Sequence, residues 1–196
     1  VVRPDTSLEK LSSLSPAFVK PFGTVTAGNS SALTDGASAT LLMSAEAARA
    51  EGYTPTAALR HYTYVAQDPG RELLLGPAYA IPKLLDEAGL TLGDIDVIEL
   101  HEAFAGQVLA VLEALRSPSF AEENLNRSTA VDDVDLDRMN ARGGSLSLGH
   151  PFGATGARLV TTAAHRLHEE DEDLALVSAC AAGGQGHALL LERWSD

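Results

Sequence analysis

The 196-residue chain reads as an α/β protein, and three observations lead there. From Ala57 onward, short runs of strand character alternate with helical patterns, as in folds that pack helices in layers on a sheet. The run Leu174-Ala175-Leu176-Val177-Ser178-Ala179 has the near-continuous apolar character of a buried strand. A glycine-rich stretch, Gly143 to Arg158, leads straight into a helical pattern in which Leu159, Val160, Ala163, Ala164 and Leu167 share one face.

Residues 1–22 are polar and irregular, with Pro4, Pro16 and Pro21, and read as the end of something that began earlier. Thr24 to Ser31 predicts a short strand closing in a turn of small residues. Asp35-Gly36 leads into an alanine-rich helix or strand-helix from Ala37 to Glu51, stopped by Gly52. Thr54-Pro55 marks a boundary that divides the chain into residues 1–55 and 56–196. Ala57 to Val65 suits a strand, and Pro77 to Ala88 a helix ended by Gly89. Asp96 to Leu100 is a strand, followed by a helix from Glu102 to Leu115. The segment Ser117 to Asn140 reads as a long polar surface insertion. After the glycine-rich loop and its helix come the buried strand, Cys180, a glycine turn and a last strand, His187 to Leu191.

Composition narrows the classes. A hydrophobic fraction of 45% and 17 glycines fit a compact chain, one able to bury roughly 70% of its unfolded surface if complete. Fourteen basic against 27 acidic residues leave a net charge of −13, which opposes bulk attraction to nucleic acid or anionic membrane. The acidic run Glu169 to Asp173 reads as a solvated loop between helix and strand. No apolar run is long enough for a membrane span. The opening residues lack the pattern of a signal peptide, and the first is not methionine. One cysteine excludes an internal disulfide and fits a reducing compartment.

Candidate chemistry lies at the ends of the strands, where α/β folds bind ligands. His101 follows the strand ending at Leu100, and Cys180 follows the strand ending at Ala179. His150 lies on the glycine-rich loop, where Pro151 keeps it out of helical geometry. The loop lacks the Lys-Ser/Thr of a P-loop after Gly156, and Pro151 breaks the dinucleotide glycine spacing. A helix N-terminus could still bind an anion here. Zinc held by His101, His150 and Cys180 has no short ligand pair to support it, so no metal is expected. A thiol beside Gly183-Gly184-Gln185-Gly186 and near an imidazole suits thiolate chemistry or proton transfer.

At these residues the sequence resembles the C-terminal half of a thiolase, an acetyl-CoA or 3-ketoacyl-CoA acyltransferase. Thr24 to Gly36 is similar to the family's Ala-Gly-Asn-x-Ser…Asp-Gly-Ala block. His101-Glu102-Ala103-Phe104-Ala105 is similar to Asn-Glu-Ala-Phe-Ala, with histidine for asparagine. Gly143 to Gly156 follows the Gly-Gly…Gly-His-Pro block, and Cys180 to Gly186 the Cys-x-Gly-Gly-Gly-x-Gly block, with Ala182 at its first glycine. The histidine variant, the Cys-Ala-Ala-Gly-Gly ending and the polar insertion resemble the thiolase subunits of fatty-acid β-oxidation multienzyme complexes.

The resemblance implies a thiolase-like fold, layered α/β/α with a mixed sheet. Residues 1–55 would be the tail of the N-terminal domain and 56–196 the C-terminal domain. It implies that His150 activates a nucleophilic cysteine and donates to the thioester oxygen, while Cys180 shuttles the proton at the α-carbon. His101 would orient a water in one oxyanion hole, and the amide of Ala182 would serve the second. Ser31 would contact the pantetheine arm and Phe104 would line the acyl pocket. Acyl-CoA and CoA would be substrates, with no resident cofactor. Implied partners are a second copy in a homodimer and a β-oxidation complex, in the cytoplasm, or in the mitochondrial matrix if eukaryotic. The family's nucleophile lies in the N-terminal half, and this chain has one cysteine. It is therefore a fragment of a longer chain or one of two polypeptides, and alone it should be inactive. Two other readings stay open. One is a β-ketoacyl synthase-like condensing enzyme, which the Cys180 glycine block disfavours. The other is a non-catalytic CoA-binding or assembly partner, which His150 and Cys180 disfavour.

Overall fold

The computed structural model describes residues 2–195. Its centre is a mixed four-stranded sheet of β1 (Ala57–Ala66), β2 (Val97–Leu100), β3 (Leu174–Ala181) and β4 (Gln185–Arg193), in the order β1-β4-β3-β2. β2 and β3 run parallel, and β4 is antiparallel to both β3 and β1. In chain order the helices are α1 (Leu8–Ser12), α2 (Ala45–Glu51), α3 (Pro69–Glu72), α4 (Gly76–Ala88), α5 (Ala105–Arg116), α6 (Pro118–Leu125), α7 (Ser145–Leu148) and α8 (Gly153–Glu169). A parallel pair needs a long crossover, and the residues from α5 to α8 supply it.

Alternation along the strands sets the layers. Ile98 and Leu100 of β2, with Leu176 of β3 and Leu190 of β4, share a core with Leu84 of α4 and Val111 of α5. Val97, Ala175, Val177 and Leu191 turn the other way, onto Leu159, Ala163 and Leu167 of α8. Those three α8 positions are four apart and so lie on one helix stripe. Both faces of the sheet are covered, which is the expected α/β/α layering. A buried ion pair ties the α8 layer to the sheet. Arg166 Nη1 donates to Glu99 Oε1 at 3.0 Å and to the Arg138 carbonyl at 3.1 Å, while Nε and Nη2 hold the Glu170 carboxylate.

The tightest backbone approach joins α4 to β4. A Cβ on Gly186 would meet the Gly76 carbonyl carbon at 2.5 Å, and neither neighbour is a side chain that could swing aside. Gly186→Ala should therefore destabilise the fold by about 3 kcal/mol, the upper end of overpacking costs. A denaturant midpoint measures it, and an unchanged midpoint would show that the two glycines can part.

Several boundaries differ from the sequence expectation, each for a local reason. Thr24 to Ser31 is not a strand. Asn29 Oδ1 accepts from Thr26 N at 2.8 Å and Asn29 Nδ2 donates to the Thr24 carbonyl at 2.8 Å, so short polar side chains bond the backbone in place of a ladder. The helix expected from Ala37 begins only at Ala45, because Ser44 caps it by accepting from Ala47 N. It does stop at Gly52, which is left-handed at φ 75°. The helix expected from Glu102 starts at Ala105, since Phe104 is extended and bridges to Ser30. Ser117 to Asn140 is more than a surface insertion. It forms α6, packs Phe120, Val131, Val134 and Met139 against the core, and ends at buried Asn140. Cys180 does not follow its strand but lies in it, because pairing with Gly186 extends the ladder.

Candidate active site

The parallel pair brings two chain ends to one place. Leu100 pairs with Ser178, and His101 N donates to the Ser178 carbonyl at 2.9 Å. His101 thus leaves β2 level with β3, two residues before Cys180. The glycine-rich loop delivers the second imidazole: His150 N donates to the Ala32 carbonyl at 2.8 Å, and the His150 and His101 ring centres lie 4.3 Å apart. The 29–33 segment clips onto the same junction. Ser31 N donates to the Ala103 carbonyl and Ala105 N to the Asn29 carbonyl, both at 2.9 Å, which sets Ser31 beside Phe104. Ala182 lies at the exposed tip of the β3–β4 hairpin, where Gly183 and Gly184 take φ of 97° and 74°. Such a three-residue turn needs positive φ, which glycine adopts without strain. Among the described residues no hydrogen bond joins Ala182 or Cys180 to the histidine pair.

Two polar side chains fix the loop that carries His101. Asn140 Oδ1 accepts from Leu100 N at 2.9 Å and its Nδ2 donates to the Leu100 carbonyl at 2.8 Å, closing the buried outer edge of β2. The same Nδ2 donates to Glu102 Oε1 at 2.7 Å, and Glu102 Oε2 accepts from Leu146 N at 3.0 Å. Glu102 therefore links the end of the 117–140 segment to the first turn of α7. Gly144 makes room for it, because a Cβ there would collide with the Glu102 carboxylate. The rings are held through Nδ1: Thr155 Oγ1 lies 2.7 Å from His150 Nδ1, and Ser145 Oγ 2.9 Å from His101 Nδ1. Among the described residues no hydrogen bond engages Nε2 of either ring.

Burial dominates the electrostatics. It pushes the His101 pKa down to about 4, helped by the positive charges of His150, Arg158 and His187. It lowers His150 too, again with Arg158 adding, and lowers His187. It raises the Cys180 thiol to about 11, partly offset by a backbone hydrogen bond. At neutral pH the site holds two neutral imidazoles and a protonated thiol, so it can lend and take protons. A histidine whose folded pKa lies below its unfolded value of 6.5 stabilises the fold fully above pH 6.5. That contribution is lost as pH falls through about 4. His101→Asn should remove on the order of 3 kcal/mol of this acid-side loss, read as a flatter stability profile between those values. An unchanged profile would mean that His101 is not buried neutral.

Glu102, Asn140, Ser145, Thr155 and Arg158 are site residues that sequence reasoning did not single out. Glu102 sits inside the His101–Ala105 block, and Ser145, Thr155 and Arg158 lie within Gly143–Arg158, so their neighbourhood was marked. Asn140 carried no signal, since its partners, the Leu100 backbone and the Glu102 carboxylate, lie about forty residues away in sequence.

Fold and site together define an α/β protein with acid–base groups at the carboxyl ends of two parallel strands. Comparison with known proteins gives that class its family. The model of the thiolase C-terminal domain matches residues 53–193, and that of the thiolase N-terminal domain matches residues 1–46. The chain belongs to the thiolase family. It is 62% identical over 189 residues to a Caenorhabditis elegans protein named "Probable 3-ketoacyl-CoA thiolase", covering 96% of this chain and 42% of that one. It is 58% identical over 193 residues to the human mitochondrial trifunctional enzyme subunit beta, covering 98% and 40%. The crystal structure of human mitochondrial 3-ketoacyl-CoA thiolase superposes with a TM-score of 0.80 at 35% identity, over 99% of this chain and 44% of that one. The chain thus spans about two fifths of the length of the curated relatives it matches.

Proposed function

We propose that this chain is the acid–base half of a 3-ketoacyl-CoA thiolase, with its nucleophilic cysteine supplied by a thiolase N-terminal half. The observation that carries the reading is the His101–His150 pair, held by its Nδ1 atoms beside the strand bearing a protonated Cys180. Thiolysis needs such a set. The nucleophile's thiolate adds to the 3-keto carbon, the bond between carbons 2 and 3 breaks, and its electrons form a thioester enolate. Cys180 gives that carbon its proton and releases acetyl-CoA, and a raised pKa keeps the proton on sulfur until then. The Cys180 thiolate then takes the proton of incoming CoA, which attacks the acyl-enzyme and leaves as the shortened acyl-CoA.

His150 activates the nucleophile and donates to the thioester oxygen, His101 orients a water in one oxyanion hole, and the Ala182 amide serves the second. Ser31 contacts the pantetheine arm, and Phe104 lines the acyl pocket. CoA is a substrate, and no resident cofactor takes part. Residues 1–55 form the tail of the N-terminal domain and residues 56–196 the C-terminal domain. Exposed Phe18, Phe22, Leu41 and Leu42 support a missing half, which would cover large apolar side chains now left in water. The partners are a second copy in a homodimer and a β-oxidation complex, in the mitochondrial matrix or the cytoplasm. Among the described residues no helix is long and apolar enough to cross a membrane.

The test uses enzyme reassembled with the N-terminal half and assayed for thiolysis of a 3-ketoacyl-CoA. His101→Asn should keep substantial turnover, because an amide can also donate. His101→Ala should lose about 10²-fold. Equal losses in the two variants would argue for a proton-transfer role that asparagine cannot fill.

A further inference from the structure

We propose that Ser145 and Arg158 are positioning residues that hold His101 in the tautomer protonated at Nε2, so that the ring presents a hydrogen-bond donor to the reacting groups. The hydrogens around one hydroxyl decide the tautomer. Ser145 is fully buried, and its Oγ has two partners: His101 Nδ1 at 2.9 Å and Arg158 Nη2 at 3.3 Å. A guanidinium is always charged and can only donate, so Arg158 occupies one lone pair of Ser145. The hydroxyl hydrogen then needs an acceptor, and His101 Nδ1 is the one within reach. With the proton on Nδ1 instead, two donors would meet at Ser145 and its own hydrogen would be orphaned in a buried site. Orphaning a buried donor is costly enough to favour the Nε2–H form by about ten-fold or more.

The rest of the helix supports this role. Arg158 stands three residues after Thr155 on α8, so the same stripe holds both imidazoles, one through Thr155 and one through Ser145. Arg158 Nε and Nη1 are buried with no hydrogen-bond partner among the described residues, so the guanidinium is not there to complete an ion pair of its own. Its charge, together with His150 and His187, also opposes protonation of His101. The ring therefore stays neutral, donating through Nε2 much as a side-chain amide would.

The inference rests on the reading of His101 as a donor in the thiolase site, but its test does not need turnover. The reassembled enzyme is labelled with 15N-histidine, and long-range 1H–15N correlation reports which ring nitrogen carries the proton. His101→Asn identifies the His101 signals by removing them. The expected spectrum shows Nδ1 unprotonated and hydrogen-bonded, with the proton on Nε2. Ser145→Ala should move the Nδ1 resonance toward that of an unbonded nitrogen and lower kcat about ten-fold with little change in KM. Ser145→Thr, which keeps the hydroxyl, should restore both to within about three-fold. Arg158→Met removes the donor that polarises the Ser145 hydroxyl and should move the Nδ1 resonance part of the way toward that of an unbonded nitrogen, which keeps the test open if Ser145→Ala does not fold. A protonated Nδ1 in the unmutated enzyme, or an Nδ1 resonance unmoved by Ser145→Ala, overturns the proposal. Absence of thiolysis beside the expected spectrum would count against the functional reading and not against the tautomer.

Discussion

Cys180→Ala, introduced into the chain and assayed with a thiolase N-terminal half, should lower thiolysis by about 10²-fold or more, the usual contribution of a positioned general acid. The loss should be selective. Acyl transfer from a simple acyl-CoA to the nucleophilic cysteine creates no enolate, so it should proceed at a near-normal rate. The structure gives the reason for expecting acid behaviour. Burial raises the Cys180 pKa to about 11, which makes the resting sulfur a proton donor and a poor nucleophile. Near-normal thiolysis by the variant would remove Cys180 from the mechanism.

Arg166→Ala should destabilise the fold by about 3–5 kcal/mol, because it leaves Glu99 charged, buried and alone. Arg166 is 2% exposed and Glu99 is not exposed at all, so water cannot replace the lost partner. The double substitution Glu99→Leu with Arg166→Met should recover most of the loss or exceed the starting stability, since apolar pairs of that volume need no compensation. Urea unfolding of both variants separates these cases. A small effect in Arg166→Ala would mean that Glu99 takes up a proton on losing its partner.

The residues whose physics is local were legible in the sequence. The unbroken apolar run of β3, the four-residue spacing of Leu159, Ala163 and Leu167, and the glycine after α4 each point to an element that formed. The bulky polar connection was misjudged for a tertiary reason. Phe120, Val131 and Val134 are spaced too irregularly to show a period, yet they pack on the core, with Phe120 against Tyr79 of α4 and Val131 N bonded to the Leu115 carbonyl of α5. Candidate site residues could be named where the chemistry itself marks them, as in His101, His150 and Cys180. Their supports were not. Asn140 acts through Leu100 backbone atoms and Ser145 through a ring forty-four residues away, and no one-dimensional pattern records such pairs.

We propose a chain that holds the acid–base groups of a thiolase but not its nucleophile. The most direct test assays the purified chain for cleavage of a 3-ketoacyl-CoA by CoA, first alone and then with a separately made N-terminal half bearing the nucleophilic cysteine. The account predicts no turnover from the chain alone, because the remaining groups act on an acyl-enzyme that never forms. Turnover should appear when the second half is added. Turnover by the chain alone would make Cys180 the nucleophile and contradict the roles assigned to it and to both histidines.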